Sequence, residues 1–329
     1  MANESCYRIY AASCSCGGGI KCYDLSNDGK LTETGKVLID FPMYFIKKGN
    51  DFHVLLRDLP DKSGMSGYVV CQMDLKRVNI NNIISTNGIV ACHLAVVDND
   101  VYVANYMSGS ISKINQKVVV HKPNDNMAEG RQNMPHSHCV ISSLDKKRVL
   151  CADLGLDCIF VYDRELNQKS VCTTELGHGV RHIIFNPNGK YLYSANELGS
   201  SVSAFHYDDG ELTMLNTYSC RAVTSGNTAA AIRLSPDAKY LYASQRGEDC
   251  ITVFSVKKDG SELEWLKNIS CGGQGPRDFT LTPDGKFFIT ANEGSGNLAV
   301  FSVKNGCEFE LCDKVKLEKA LCVTAEMAR

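Results

Sequence analysis

The chain carries almost no net charge. Its 329 residues hold 35 Lys and Arg against 37 Asp and Glu, a formal balance of −2. Gripping nucleic acid through its phosphates needs a basic excess or stripe, so that class of partner is excluded. No stretch of 18 apolar residues occurs, which leaves no helix-length membrane span and no membrane partner. Residues 1–11 lack a basic segment followed by an apolar one, so no secretory leader is expected and a cytoplasmic protein is the simplest reading. The 16 cysteines never fall as C-x-x-C, and Cys14 and Cys16 are the only close pair. That spacing argues against a disulfide framework and against structural zinc. Most cysteines sit inside strand-like runs, among them Cys92, Cys139, Cys151, Cys158, Cys172 and Cys250, where a free thiol acts as a small buried hydrophobe. There is no G-x-S-x-G, and the lone Trp265 is not followed by Asp, which speaks against a WD-type protein-interaction propeller. Gly17–Gly19 leads into a strand-like run rather than a helix with Lys-Ser/Thr, so phosphate-loop chemistry is rejected.

What the chain does have is a repeat. RHIIFNPNGKYLYSANEL (181–198), AAIRLSPDAKYLYASQRG (230–247) and RDFTLTPDGKFFITANEG (277–294) share one pattern. Each is an apolar strand, a Pro-Asx turn, a second apolar strand and a polar exit. Weaker copies start at His138 and His93. Equivalent residues Ala104, Ala152, Ala195, Ser244 and Ala291 recur about every 47 positions, a spacing that divides 329 residues into seven units. One unit reads as four strands, 181–186, 190–197, 200–207 and 211–218, joined by Gly-, Asn- and Asp-rich hairpin turns. Four antiparallel strands at this period predict an all-β, seven-bladed β-propeller spanning residues 1–329 as a single domain around a central channel. Two β-sandwiches are the alternative, but sandwiches do not repeat their sequence at near-constant spacing.

The repeat also sets a register. Aligned from the turns, the first strands begin at His93, His138, Arg181, Ala230 and Arg277, and the second strands end at Tyr106, Leu154, Glu197, Arg246 and Glu293. Antiparallel neighbours bring these starts and ends to the same end of a blade. With the first strand innermost, they gather at one mouth of the channel, and converging titratable groups in a concavity make the default active site. Arg181 with Glu197, and Arg277 with Glu293, are placed to pair. Arg246 has no acidic partner at its own register and is the better ligand-binding residue. His136 and His138 lie two apart, on one face of a strand, which favours a hydrogen-bonded catalytic or orienting pair over a metal. Asn105, Asn196 and Asn292 are expected to bond backbone at the strand ends. Two features stay open. Gly272–Pro276 reads as an inter-blade turn or an anion-holding nest. Residues 122–134 read as a flap over the mouth or an ordinary surface loop.

PHSH (135–138), ADLG (152–155) and the long motifs around Arg181, Ala230 and Arg277 resemble those of the seven-bladed lactonase propellers. That family includes the propeller-type 6-phosphogluconolactonase and the fungal carboxy-cis,cis-muconate cyclase. The resemblance runs through most of the chain: YRIYAAS (7–13) resembles its opening strand, residues 91–112 its third blade and LCVT (321–324) its closing strand, while residues 45–74 diverge. It implies catalytic roles for His138, Arg181, Glu197 and Arg277, with His93, His136, Arg246 and Glu293 binding substrate, and neither metal nor other cofactor. Its opening Gly-Thr-Tyr-Thr is Ala12–Ser15 here, and Ser137 stands at the centre of its His-Pro-His. The implied activity is hydrolysis of a small sugar lactone, a phosphorylated one in the pentose phosphate route first of all. His138 or Glu197 would be the general base, and Arg181 and Arg277 would hold an oxyanion, carboxylate or phosphate. A lactone-forming muconate-type reaction and a non-catalytic binding propeller are the alternatives.

Overall fold

In the computed structural model, each Pro-Asx turn joins two antiparallel strands. Val180–Phe185 pairs with Tyr191–Asn196, Thr228–Leu234 with Tyr240–Arg246, and Pro276–Leu281 with Phe287–Asn292. The turns need one left-handed residue, supplied by Gly189 and Gly285 at φ 73° and 72° and, with more strain, by Ala238 at 55°. The structure describes residues 5–328 except 62, 75–76, 124–126, 128–129 and 258.

The described strands form seven four-stranded antiparallel sheets, the blades of the expected propeller. In six of them the first strand in sequence is innermost, as expected. The seventh is completed from the other end of the chain: Ala320–Met327 pairs with Ser5–Ser13 and takes the innermost place. Innermost strands of adjacent blades contact one another around the ring. Among the described residues, seven apolar clusters form, each between two adjacent blades. A blade therefore buries little by itself and depends on both neighbours. Cys139, Cys151, Cys172 and Cys322 pack within these clusters as free thiols.

The repeated tyrosine has a structural reason. Tyr102, Tyr193 and Tyr242 occupy equivalent places, and each hydroxyl donates to a backbone carbonyl on the next blade: Arg164 at 2.8 Å, Gly260 at 2.6 Å and Gly306 at 2.6 Å. Asn105 and Asn196 do not bond backbone as expected. Each donates to two serines of the neighbouring strand, whereas Asn292 does reach the Cys271 carbonyl. Three amides of the Gly272–Pro276 turn are already used, Gly272 N–H by Ser270 at 3.2 Å, Gln274 N–H by Ser295 at 2.8 Å and Gly275 N–H by Asp249 at 2.7 Å, which leaves no run of free N–H groups for an anion nest and favours an inter-blade turn.

A partly buried ion pair ties the closing strand to the ring. Asp278 accepts from Arg233 at 2.9 Å and, through its other oxygen, from Val323 N–H at 3.1 Å. Asp278→Ala should cost about 3 kcal/mol in urea melts, because it strands a partly buried guanidinium and the Val323 N–H. The double change Asp278→Leu with Arg233→Met should recover most of that loss, and a double variant as unstable as the single one contradicts this role.

Candidate active site at the mouth of the central channel

Every innermost strand is irregular at one place. Its pairing with the next strand skips at Met43, Cys92, His138, Arg181, Ala230 to Ala231, Arg277 and Leu321. These are β-bulges, and a bulge re-aims side chains by opposing two residues to one. Met43, Cys92, His138, Arg181, Arg277 and Leu321 line a cavity of about 30 Å³ on the axis. The residues that follow four of the bulges, Tyr44, His93, His182 and Asp278, line it too. Two consecutive residues of one strand thus face the same channel, which simple alternation forbids.

This corrects the register at one position. His93 follows the bulge instead of occupying it; Cys92 is the counterpart of Arg181, and His182 the counterpart of His93. His93 stacks on Tyr44 with ring centroids 4.3 Å apart and meets His182 edge-on at 5.3 Å. His182 and Tyr44 were missed: both follow a bulge, and Tyr44 lies in a blade outside the aligned copies.

The exits of the second strands supply the rim. Glu197 is buried and takes three guanidinium groups: Arg181 at 2.8 Å, Arg246 at 3.0 Å and Arg131 in close contact. The expected Arg181–Glu197 pair is there, but Arg246 is not free of an acidic partner, because Glu197 reaches it from the neighbouring blade. Arg277 pairs with Glu293 at 3.2 Å, as expected. Four arginines thus face two carboxylates, an excess of two positive charges at a partly buried site.

Arg131 comes from the long loop over residues 122–134, of which 124–126 and 128–129 lie outside the described residues. Its guanidinium also donates to the Tyr106 hydroxyl at 2.9 Å. Gln132, next to it, is anchored by bonds to the Leu154 carbonyl and Asp157. This part of the segment does reach the mouth. A repeat-based register has no place for a loop residue, so Arg131 was not legible. His136 and His138 both pack on Tyr106, one face-on at 4.3 Å and one edge-on at 5.5 Å. Among the described residues no hydrogen bond joins the two imidazoles, so the orienting element is the Tyr106 ring and not a His–His bond. Tyr106 is a rim residue whose role the register had passed over.

The protonation states follow from burial and charge. Burial raises the Glu197 carboxyl, but Arg246, Arg181 and Arg131 outweigh it and hold the group at about 2. Burial, with Arg181 and Arg277 beside it, pushes His138 well below the usual imidazole range. His93 is lowered to about 3 by burial, Arg233 and Arg181, and His182 is lowered by burial, Arg233 and His93. The ring of histidines is neutral at pH 7, and Glu197 is a fixed anion clamped by cations. One ring nitrogen each of His93 and His182 and the Cys139 sulfur lie within 4.8 Å of one another, the spacing of a metal-ligand set.

A family model described as "Lactonase, 7-bladed beta-propeller" matches residues 8–325. The chain belongs to the seven-bladed lactonase propellers. It is 31% identical over 264 residues to an uncharacterized protein of Staphylococcus aureus strain RF122, covering 79% of this chain and 71% of that one. Among solved structures it is similar to a Lactobacillus plantarum protein at 28% identity and TM-score 0.88, over 97% and 99% of the two chains. It is also similar to a Bacteroides fragilis protein titled "putative 6-phosphogluconolactonase", at 25% identity and TM-score 0.86, over 99% of each chain. Lactonase membership supports a lactone hydrolase with a small-molecule lactone as substrate. No helix among the described residues is long and apolar enough to cross a membrane.

The neutral histidines have a consequence for stability. The unfolded chain protonates them near pH 6.5 while the folded chain resists, so stability is lost as pH falls below about 6.5. Each contributes up to about 1.4 kcal/mol per pH unit in that range. Glu197 adds to the loss further down, as pH falls from its unfolded value towards its folded one near 2. The urea midpoint should hold above about pH 7 and fall steeply towards about pH 5, and less steeply in His93→Gln. A midpoint that does not change over that interval contradicts the neutral assignment.

Proposed function

We propose that the chain hydrolyses a phosphorylated sugar lactone, 6-phosphogluconolactone in the first instance, to the open-chain acid. The observation that carries this reading is the set of four arginines against two carboxylates around one neutral histidine. An uncharged sugar lactone has no use for two surplus guanidinium charges, whereas a phosphate dianion matches them and accepts bidentate hydrogen bonds.

In this reading the phosphate lies at the rim against Arg131, Arg246 and Arg277, and the lactone ring points down the channel. His138 is the base. Glu197 is a poor one, because a carboxylate held near 2 by three arginines has little affinity for a proton; its role is to fix Arg181 and Arg246 in place. His138 takes a proton from water as the water oxygen bonds to the lactone carbonyl carbon. The oxyanion that forms is met by the cationic wall. As it collapses, the bond from carbonyl carbon to ring oxygen breaks, and His138 returns the proton to that oxygen as a hydroxyl. The new carboxylic acid ionises and releases one proton to solvent, which a pH-stat records.

Burial and the arginines that keep His138 neutral also make it a weak base. A bound phosphate cancels part of their field, so His138 regains basicity when the site is occupied by its anionic substrate. The substrate thereby tunes the group that acts on it.

Freshly prepared 6-phosphogluconolactone should be opened well above the buffer rate, with kcat/KM at least about tenfold above that for unphosphorylated gluconolactone, the range of one charge-assisted hydrogen bond. A rate equal to buffer overturns the reading, and equal kcat/KM for the two substrates overturns the phosphate assignment. His138→Ala should lower kcat by about 10²–10⁴-fold while the protein stays folded. Full activity in that variant removes His138 as the base.

A further inference from the structure

His182 is a second neutral imidazole at the floor of the site, one residue beyond Arg181 on the same strand. It lines the axial cavity together with His138, Arg181 and Arg277. Its Nε2 lies 3.2 Å from Arg233 Nη1. A guanidinium can only donate, so Nε2 must be the accepting nitrogen and the single proton of the neutral ring sits on Nδ1. Arg233 is held in turn by Asp278 at 2.9 Å and by the Ile232 carbonyl at 3.0 Å. The tautomer is therefore fixed by a partly buried, ion-paired arginine. The edge-on contact with His93, itself stacked on Tyr44, fixes the plane of the ring.

The same hydrogen bond decides between two readings of the His93, Cys139 and His182 cluster. Histidines that hold a metal donate their outer N–H to an acceptor, which leaves the inner nitrogen with a lone pair. Here the outer partner of His182 is a donor, and it carries a full positive charge, as does Arg181. The cluster is built to present a hydrogen, not a lone pair, and to repel a cation.

We propose that His182 is a catalytic hydrogen-bond donor whose Nδ1–H meets the oxygen that gains negative charge when the lactone carbonyl is attacked. The size of the cavity supports this assignment. About 30 Å³ takes a group the size of one or two waters, less than a phosphate needs, so in this assignment the phosphate stays at the rim and the carbonyl oxygen reaches the cavity. A neutral donor fixed in advance gains most where the charge develops, because nothing has to reorganise during the step. The inference rests on the lactonase reading above and adds a residue to it.

The test compares His182→Phe with His182→Asn on 6-phosphogluconolactone and on unphosphorylated gluconolactone. Phe keeps a ring and removes the N–H; the Asn amide replaces an N–H near the Nδ1 position. His182→Phe should lower kcat about 10²–10³-fold with KM within a few-fold, and to the same extent on both substrates, since the carbonyl is common to them. His182→Asn should recover at least about tenfold of that loss, a recovery that a packing role would not give. Thermal melts of both variants identify any loss that comes from unfolding. An unchanged kcat in His182→Phe overturns the assignment, as does a loss in both variants that appears only in KM. A wild-type protein that opens neither lactone overturns the functional reading itself, an outcome distinct from an active enzyme indifferent to His182.

Discussion

At one rung of each blade the innermost strand sets two residues against one, and the geometry of the site follows from that bulge. A regular strand at the axis would send alternate side chains to the channel and to the adjacent sheet. The bulge sends two in succession to the channel, so Arg181 and His182, or Arg277 and Asp278, stand one above the other on the same wall. Repetition does the rest. The same distortion recurs around the ring, and a concavity lined from several blades results, to which the long loop adds Arg131 at the rim. Closure by Ala320–Met327 and the Arg233–Asp278 pair keep the ring at one diameter, which fixes how far these side chains stand from each other.

Electrostatically the mouth combines two kinds of group. At the rim, guanidinium groups outnumber carboxylates by four to two, and Glu197 is committed to three of them. His138, on the same bulge rung as Arg181 and Arg277, and His93 and His182, one residue past their bulges, are neutral because burial and the arginine field both oppose a charge on them. Cations at the rim and neutral imidazoles among and beyond them suit an anion that carries a polar, uncharged reacting group. The arrangement explains why the carboxylate is a poor candidate for the base despite its central position, and why a histidine of low basicity is a workable one once the ligand's own charge is counted.

Much of this was legible in the sequence, and the parts that were not have physical reasons. Period and turn chemistry carried the blade count and the pairing of Arg181 with Glu197 and Arg277 with Glu293, because both are local to one repeat. The register slipped at His93 because the tight turn at Asp98 and Asn99 lets pairing run one rung further than in the Pro-Asx units. Counting back from that turn therefore lands one residue late, and His182 was missed because regular alternation would turn the neighbour of Arg181 away from the channel. Arg246 looked unpaired because comparison within a blade cannot see Glu197 on the blade beside it. Arg131 lies on a loop outside the repeat, where register says nothing. His136 and His138 do gather, but on the Tyr106 ring, which a comparison of the two histidines alone could not supply.

The reactivity proposed for the site depends on the coupling between the arginine field and His138. The direct measurement is an NMR titration of the His138 imidazole in the protein alone and with saturating 6-phosphogluconate, assigned by comparison with His138→Gln. The free protein should show a midpoint well below the ordinary imidazole value near 6.5, and the bound anion should raise it by about one pH unit or more. A midpoint near 6.5 that ignores the ligand would contradict the account.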